Sequence, residues 1–339
     1  MTNTGHGALD TLFYGIEHAD ASVMDGRVLF INARADKRLP SGVQCVQWFK
    51  PYADDLIGAG FESVSVIEDV SGEFDTSLFL FPKNVVEGRY LLAQAMEKTR
   101  EGGSIFVSAD NKAGGTRLQK IVQQFGAEIM QQNSKSKARV IEIVNRGADH
   151  DVIAATIKEG SLKAIDKTGF VAQAGVYGWG KIDKGSQVLL QHLDDDVKGK
   201  IADFGVGYGF LLQHILQHKK DVKLAYAIDA DARALLSAQK NLNDFEMVEY
   251  LWEDLTNPAG IPERLDSIIM NPPFHEGKKA DSGIGAAFIR IAAQCLKRNG
   301  SLYMVANNQL PYEVVLEDAF FSYECIAQEN GFKVFRAVR

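Results

Sequence analysis

The stretch Ile201-Ala-Asp-Phe-Gly-Val-Gly-Tyr-Gly209 decides the fold of the half of the chain in which it lies. Its apolar start predicts a buried strand that ends near Phe204, and the apolar residues after the last glycine predict a helix to His218. Glycines between a strand and a helix allow a tight turn and close approach of a ligand, and the helix N-terminus offers free N–H groups. The sequence therefore predicts a ligand-binding loop, with a ligand-free turn as the alternative, at Gly205, Gly207 and Gly209.

The spacing of these glycines separates the loop from a dinucleotide-binding fingerprint. That fingerprint requires its third glycine three places after the second, at position 210, where this chain has Phe. Asp203 stands ahead of the loop, and its negative charge would repel a pyrophosphate. The same charge would suit a ligand that carries an ammonium group.

Strand and helix signals alternate on both sides of this loop. Apolar runs predict strands at 201–204, 222–229, 265–271 and 301–306, separated by predicted helices at 209–218, 232–242 and 286–297. Strands separated by helices of this length are typical of a parallel, doubly wound α/β sheet. Asn330-Gly331 lies between apolar runs at 323–328 and 332–338, and it predicts an antiparallel hairpin at the end of the chain.

The N-terminal half follows a similar pattern. It has predicted strands at 27–33, 63–68 and 76–81, a helix at 87–100, and a candidate hairpin at 130–135 and 138–144. The string that begins Arg100-Glu-Gly-Gly-Ser parallels the string that begins Lys297-Arg-Asn-Gly-Ser. We interpret this as a diverged duplication, with the alternative that any two α/β domains look alike at this level. The boundary is expected in the polar stretch at 145–166.

The composition is that of an ordinary globular protein, with 339 residues, 46% hydrophobic and 24% charged. The sequence has no run of eighteen apolar residues and no secretory signal at its start, so we expect neither a membrane span nor export. The three scattered cysteines predict neither a disulfide framework nor a zinc site, and a cytoplasmic location fits best. The net charge of −7 disfavours a protein that coats nucleic acid, but it permits a local basic face.

Two further acidic residues follow predicted strands. Asp229 ends the strand at 222–229, where a carboxylate can accept both hydroxyls of a ribose, and the alternative role of helix N-cap fits Asp231 better. Asp254 follows a short apolar run and could accept a hydrogen bond from an adenine amino group, unless it belongs to a solvated loop. An ammonium partner, a ribose and an adenine without a phosphate together describe S-adenosylmethionine.

The segment Asn271-Pro272-Pro273-Phe274 closes the predicted strand at 265–271. Two consecutive prolines fix φ at about −65° and donate no backbone hydrogen bond, so the segment forms a rigid bend rich in acceptors. Such a bend at a strand end could hold a planar amino group beside the cofactor, with the ring of Phe274 stacked on its base. The sequence therefore predicts methyl transfer to an exocyclic amino group.

Several stretches resemble bacterial 16S rRNA guanine-N2 methyltransferases, which are class I S-adenosylmethionine-dependent methyltransferases. The motif Asn-Pro-Pro-Phe is shared among enzymes that act on planar amino groups, whereas the extension His275-Glu-Gly277 and the segment 308–312 are more specific. The resembling stretches are 81–84, 134–139, 175–178, 184–190, 203–209, 271–277, 305–312 and 326–336.

The resemblance implies two Rossmann-like methyltransferase domains in tandem, each a mostly parallel sheet with a C-terminal antiparallel hairpin. Residues 1–150 would form a degenerate domain for substrate docking and stabilisation, and residues 165–339 the catalytic domain. The stretch Arg34–Pro40, after the first predicted strand, contains no glycine and agrees with a lost cofactor loop.

The resemblance also implies the reaction, which is transfer of a methyl group from S-adenosylmethionine to guanine N2 in 16S rRNA or the small ribosomal subunit, without a metal. The alternatives are a methyltransferase for 23S rRNA guanine N2, DNA adenine N6 or protein glutamine N5, and a non-catalytic S-adenosylmethionine- or RNA-binding protein. The basic residues expected to contact RNA are Lys135, Lys137, Arg139, Lys278 and Lys279.

Overall fold

The computed structural model describes residues 6–165, 168–273 and 282–339. The chain divides into two compact units, the first ending at Leu162 and the second comprising Lys163–Arg339. None of the helices in the described ranges has the length and apolar character that crossing a bilayer requires.

The first unit combines five helices and seven strands within its described residues, together with short 3₁₀ turns. In chain order they are α1 (His6–Glu17), β1 (Val28–Ile31), β2 (Gln44–Val46), α2 (Lys50–Gly58), β3 (Ser63–Val64), β4 (Phe74–Leu80), α3 (Val85–Lys98), β5 (Thr99–Asp110), α4 (Leu118–Gln123), β6 (Glu128–Lys135), β7 (Ala138–Val144) and α5 (His150–Gly160).

The second unit begins with a small two-stranded sheet and continues into a larger α/β sheet. In chain order its elements are β8 (Lys163–Ala164), β9 (Val171–Ala172), α6 (Lys184–Gln191), β10 (Gly199–Phe204), α7 (Phe210–His218), β11 (Val222–Asp229), α8 (Ala232–Asn241), β12 (Val248–Trp252), β13 (Leu265–Met270), α9 (Ser282–Cys295), β14 (Leu296–Asn307), α10 (Glu313–Ala319), β15 (Ser322–Glu329) and β16 (Phe332–Val338).

The two large sheets have the same strand order. The first runs β3-β2-β1-β4-β5-β7-β6 and the second β12-β11-β10-β13-β14-β16-β15. In each sheet the first five strands are parallel, and the last two form an antiparallel hairpin. The predicted fold class, two tandem Rossmann-like sheets that each close with an antiparallel hairpin, is confirmed.

The core of the second unit lies on both faces of its sheet. Ile268 and Met270 of β13 pack into one apolar cluster and Ile269, between them, into the other, and all three are fully buried. Burial on both faces is expected of parallel strands covered by helices on each side. The order of the strands reverses at β10 and β13, and in such sheets ligands bind at the carboxyl edge beside that reversal.

One prediction for the first unit was wrong in detail. The strand expected at 63–68 ends at Val64, because a 3₁₀ turn follows at Ile67–Asp69. The polar stretch at 145–166, where the domain boundary was expected, includes the division between the two units at Leu162 and Lys163. It also contains the helix α5, whose N-cap Asp149 accepts hydrogen bonds from two backbone amides. Only Ile153, Thr156 and Gly160 of α5 are buried, and this narrow apolar face made the helix hard to recognise in the sequence.

Candidate active site

The glycine loop between β10 and α7 adopts the conformation for which its glycines are required. Gly205, Gly207 and Gly209 have φ of 81°, 57° and 91°, a region that side chains rarely adopt. The backbone amides of Gly205 and Val206 both donate to the carbonyl of Ile228, at 2.9 and 3.0 Å, and so fix the loop to β11. A Cβ atom at Gly207 would meet nothing within 4 Å, so the space in front of the loop is open.

Asp229 connects the end of β11 to this loop. Its Oδ2 accepts a hydrogen bond from the backbone amide of Gly207 at 2.9 Å, and its Oδ1 accepts one from Asp231 at 2.9 Å. Asp231 is the N-cap of α8, because its side chain accepts from the amide of Arg233 at 3.0 Å. Each oxygen of Asp229 keeps capacity for a second donor, so the carboxylate can still accept ligand hydroxyls.

Asp203 is a fully buried carboxylate at the end of β10. Neither of its oxygens has a hydrogen-bond partner of ordinary geometry among the described residues. Burial, reinforced by the nearby charge of Asp229, raises the pKa of Asp203 to about 8, and the backbone amide of Leu212 opposes the rise. Burial also raises the pKa of Asp229 to about 6, against hydrogen bonds from backbone amides. A buried and a half-buried carboxylate lie side by side, and no basic side chain of the described residues forms an ion pair with either. Such a pair favours a cationic ligand.

Asn271 follows β13 directly, as the sequence predicts, and its side chain is held by two neighbours. Its Nδ2 donates to Oδ1 of Asp183 at 2.7 Å and to Oγ of Ser186 at 2.9 Å. Pro272 is buried and Pro273 is exposed. The predicted stacking residue Phe274 lies outside the described residues, as do His275, Glu276, Gly277, Lys278 and Lys279.

Asp183 is the N-cap of α6 and brings three donors together. Its Oδ1 also accepts from the backbone amide of Ser186 at 2.9 Å, and its Oδ2 accepts from the hydroxyl of Tyr177 at 3.0 Å. The sequence analysis assigned no role to Asp183, Ser186 or Tyr177. The signals that could have found them were an aspartate just before an apolar helical run and their position in or beside the resembling stretches 175–178 and 184–190.

An open cleft joins the glycine loop to Asn271. Burial, with the nearby charge of Asp183, raises the pKa of Tyr208 to about 12, so its hydroxyl stays neutral. The lining includes Tyr177, Asp183, Gly205, Gly207, Tyr208 and Asn271.

Asp254 is not part of this lining. Its Oδ1 accepts from the backbone amide and the hydroxyl of Thr256, at 2.8 and 2.6 Å. It lies two residues beyond Trp252, which pairs with Asp229 across β11 and β12, so it shares the same edge of the sheet. Within the described residues, no three His, Cys, Asp or Glu side chains are grouped so that they could hold a metal ion.

In the first unit, the segment that follows β1 contains a packed arginine side chain. Arg34 follows β1, and its guanidinium carbon lies 3.5 Å from the ring centroid of Tyr52. The guanidinium also donates to the carbonyls of Asn32 and Ala33, at 3.0 and 2.9 Å. Burial lowers the pKa of Arg34, which nevertheless stays charged. Arg34 thus packs against protein groups directly after β1, whereas the second unit has its glycine loop directly after β10.

Comparison with known proteins gives two adjoining family matches. Residues 167–336 match the methyltransferase small domain, and residues 22–145 match the N-terminal domain that accompanies it. A relative from Escherichia coli O1:K1, the ribosomal RNA small subunit methyltransferase C, is 30% identical over 83% of this chain and 80% of its own length. The chain belongs to the ribosomal RNA small subunit methyltransferase C family.

A further member of this family and one solved structure are also similar to this chain. The protein of the same name from Acinetobacter baumannii is 28% identical over 93% of this chain and 95% of its own length. The 16S rRNA N2 methyltransferase of T. thermophilus, solved in complex with AdoMet and guanosine, superposes with a TM-score of 0.75 at 21% identity. It covers 93% of this chain and 88% of its own, and it shows the shared fold. The predicted methyltransferase family is therefore confirmed.

Proposed function

We propose that the protein transfers a methyl group from S-adenosylmethionine to the N2 amino group of a guanine in 16S rRNA. The observation that carries the proposal is the cleft that joins the glycine loop to Asn271 in a chain of this family. The T. thermophilus structure of the same fold contains AdoMet and guanosine, the two ligands that this cleft would have to hold together. In this proposal residues 165–339 are catalytic.

The residues around the glycine loop fit S-adenosylmethionine. The buried, unpartnered carboxylate of Asp203 would offset the ammonium group, and Asp229 would accept the ribose hydroxyls. The open space at Gly207 and the N-terminus of α7 would accommodate the ligand against the backbone. Asp254, at the same sheet edge, would accept from the adenine amino group. The cofactor supplies a methyl group on a sulfonium, which is already an activated leaving group.

The rigid bend after β13 would hold the guanine. The N2 lone pair is delocalised into the ring, so the enzyme must position the amino group and stabilise the positive charge that develops on it. The Oδ1 of Asn271 and the carbonyl of Pro272 would accept hydrogen bonds from N2. Pro273 fixes the direction of the chain toward Phe274, which would stack on a base withdrawn from its helix. Formation of the new C–N bond would be accompanied by cleavage of the methyl–sulfur bond, the sulfur leaving as a neutral thioether, and N2 would then release one proton to solvent.

The first unit would dock the ribosomal substrate. The tip of the β6–β7 hairpin, which we call the basic turn, carries Lys135 and Lys137, both exposed, and Arg139, which is half-buried. The Nζ atom of Lys135 lies 4.5 Å from the ring centroid of Tyr14, which supports the position of this basic turn. In this proposal residues 1–150 dock and stabilise, and the protein acts in the cytoplasm, where ribosomal subunits assemble.

In vitro methylation tests the proposal. Purified protein is incubated with labelled S-adenosylmethionine and, in parallel, with small subunits, large subunits, naked 16S rRNA, adenine-containing duplex DNA and a glutamine-containing protein acceptor. We expect label only in N2-methylguanosine of 16S rRNA, in particles or naked RNA. Label in adenine, in protein or in the large subunit alone would replace the proposed substrate. No label in any acceptor, with no cofactor binding by calorimetry, would indicate a non-catalytic protein.

A further inference from the structure

We infer that Asp183 is a positioning residue that fixes the side-chain amide of Asn271 with its oxygen toward the substrate. The inference rests on the proposed function, in which that oxygen accepts a hydrogen bond from the target amino group. An asparagine amide has two ends of nearly equal shape, one a donor and the other an acceptor. Only the orientation that turns the amide oxygen of Asn271 toward the substrate can accept a hydrogen bond from an N–H group. A neighbouring group therefore has to fix that orientation.

The selection comes from the carboxylate of Asp183. An ionised carboxylate only accepts hydrogen bonds, so the atom of Asn271 that lies 2.7 Å from its Oδ1 has to be the amide nitrogen. The reverse orientation would place two oxygens at that distance without a proton between them. Ser186, whose Oγ is 2.9 Å from the same nitrogen, can donate or accept and therefore does not select an orientation.

Asp183 is itself fixed by groups on both sides. The backbone amide of Ser186 and the hydroxyl of Tyr177 each donate to one of its oxygens. Gly185 lets the helix approach closely, because a Cβ atom there would lie 3.1 Å from Oδ1 of Asp183 and 3.0 Å from the ring of Phe332. The orientation of Asn271 is thereby tied to the packing of α6 against the sheet.

The charge of Asp183 has a second consequence. A hydrogen bond from Nδ2 of Asn271 to a carboxylate polarises the amide and makes its Oδ1 a stronger acceptor. That oxygen is the atom that would face the positive charge developing on the target nitrogen. Asp183 would therefore act on the rate of the chemical step and leave cofactor affinity almost unchanged.

The variant Asp183→Asn separates this role from helix capping. Asparagine caps a helix about as well as aspartate, so α6 should keep its N-terminus. The new amide can donate or accept, so Asn271 is free to turn either way. We expect kcat for 16S rRNA methylation to fall by about 10- to 100-fold, less than the about 10²- to 10³-fold loss that follows complete removal of one oriented hydrogen-bond donor to a reacting group, because Asn271 keeps its productive orientation part of the time. KM for rRNA and the affinity for S-adenosylmethionine should change by less than about threefold.

Two controls make the kinetic result specific. Asp149→Asn alters the N-cap of α5, whose side chain accepts from the amides of Asp151 and Val152, and it should leave kcat unchanged. Asn271→Ala removes the group that Asp183 is inferred to orient. In single-turnover reactions, Asp183→Asn added to Asn271→Ala should therefore cause almost no further loss.

The outcomes distinguish this inference from the proposed function. A wild-type protein that does not methylate guanine N2 contradicts the proposed function. If the wild type is active, two results overturn the inference and leave the proposed function standing. One is an unchanged kcat in Asp183→Asn, and the other is independent, multiplicative effects of Asp183→Asn and Asn271→Ala.

An NMR measurement tests the inference without any turnover. The side-chain amide protons of Asn271 should be protected from solvent exchange in the wild type and lose that protection in Asp183→Asn. Equal exchange rates in the two proteins would also overturn the inference.

Discussion

Asp203 and Asp229, near the carboxyl ends of the paired parallel strands β10 and β11, form a neighbouring couple of carboxyl groups, of which Asp203 is fully buried and Asp229 half-buried. Burial and then the charge of Asp229 raise the pKa of Asp203 to about 8, and burial raises that of Asp229 to about 6. Within the described residues, no basic side chain forms a hydrogen bond or an ion pair with Asp203. The unliganded protein thus keeps an acid that is uncharged near neutral pH at the place where the cofactor's ammonium group would bind.

Cofactor binding should release a proton near neutral pH. At pH 7 Asp203 is mostly protonated in the free protein, whereas a bound ammonium group favours its ionised form. Calorimetry at pH 7, in two buffers with different ionisation enthalpies, should report release of about one proton per cofactor. Release should decline toward pH 9, where Asp203 is already ionised. Identical heats in the two buffers at pH 7 would contradict this description of Asp203.

Replacement of Asp203 should raise the thermal stability of the protein at high pH and abolish cofactor binding. A carboxyl whose pKa is higher in the folded protein than in the unfolded chain binds more protons when folded, so its contribution to stability is lost as pH rises from about 4 to about 8. Asp203→Asn has no ionisable group at this position, so it avoids this loss of stability at high pH. Its melting temperature without cofactor should exceed that of the wild type by several degrees at pH 8 and by much less at pH 5, and cofactor binding should be abolished.

The matched control for this variant is Asp318→Asn, which changes an exposed aspartate in the same unit. Its shift in melting temperature should be small and the same at both pH values. A melting temperature of Asp203→Asn that stays below the wild type at pH 8 would mean that the carboxylate stabilises the fold.

Gly207→Ala should weaken cofactor binding more than it weakens the fold. A side chain at φ of 57° is strained by about 1 kcal/mol, and the new Cβ would project into the open space in front of the loop. We expect cofactor affinity, measured by calorimetry, to fall at least about tenfold. Gly331→Ala is the control, because Gly331 also has a positive φ and open surroundings but lies in the β15–β16 turn. Equal affinities for the two variants would place the ligand elsewhere.

The basic turn of the first unit should affect substrate docking alone. Reversing Lys135 and Lys137 to glutamate removes two contacts of a kind that phosphate backbones favour, so KM for ribosomal substrate should rise and depend less steeply on salt. Cofactor affinity should stay constant. The same reversal at Lys220 and Lys223, two exposed lysines of the second unit, controls for net charge. A rise in KM no larger than with that control would argue against docking through the turn.

The sequence allowed local elements to be predicted well where apolar periodicity was strong. The strands Val222–Asp229 and Phe332–Val338 lie where their apolar runs predict them, because burial alone defines such strands. The helix α5 was missed, since only three of its residues are buried and its composition is polar. The hydrogen bond between Asn271 and Asp183 spans 88 residues, and no local pattern encodes a pairing that depends on how α6 packs.

The proposed methylation of guanine N2 in 16S rRNA can be tested in cells by mapping N2-methylguanosine in 16S rRNA from a strain that lacks the gene. One 16S position should lose its methyl group in the deletion strain and regain it when the wild-type gene is restored. The Asn271→Ala gene, expressed at an equal level, should not restore it. Unchanged N2-methylguanosine at every 16S position in the deletion strain would contradict the proposal that this protein methylates guanine N2 in 16S rRNA.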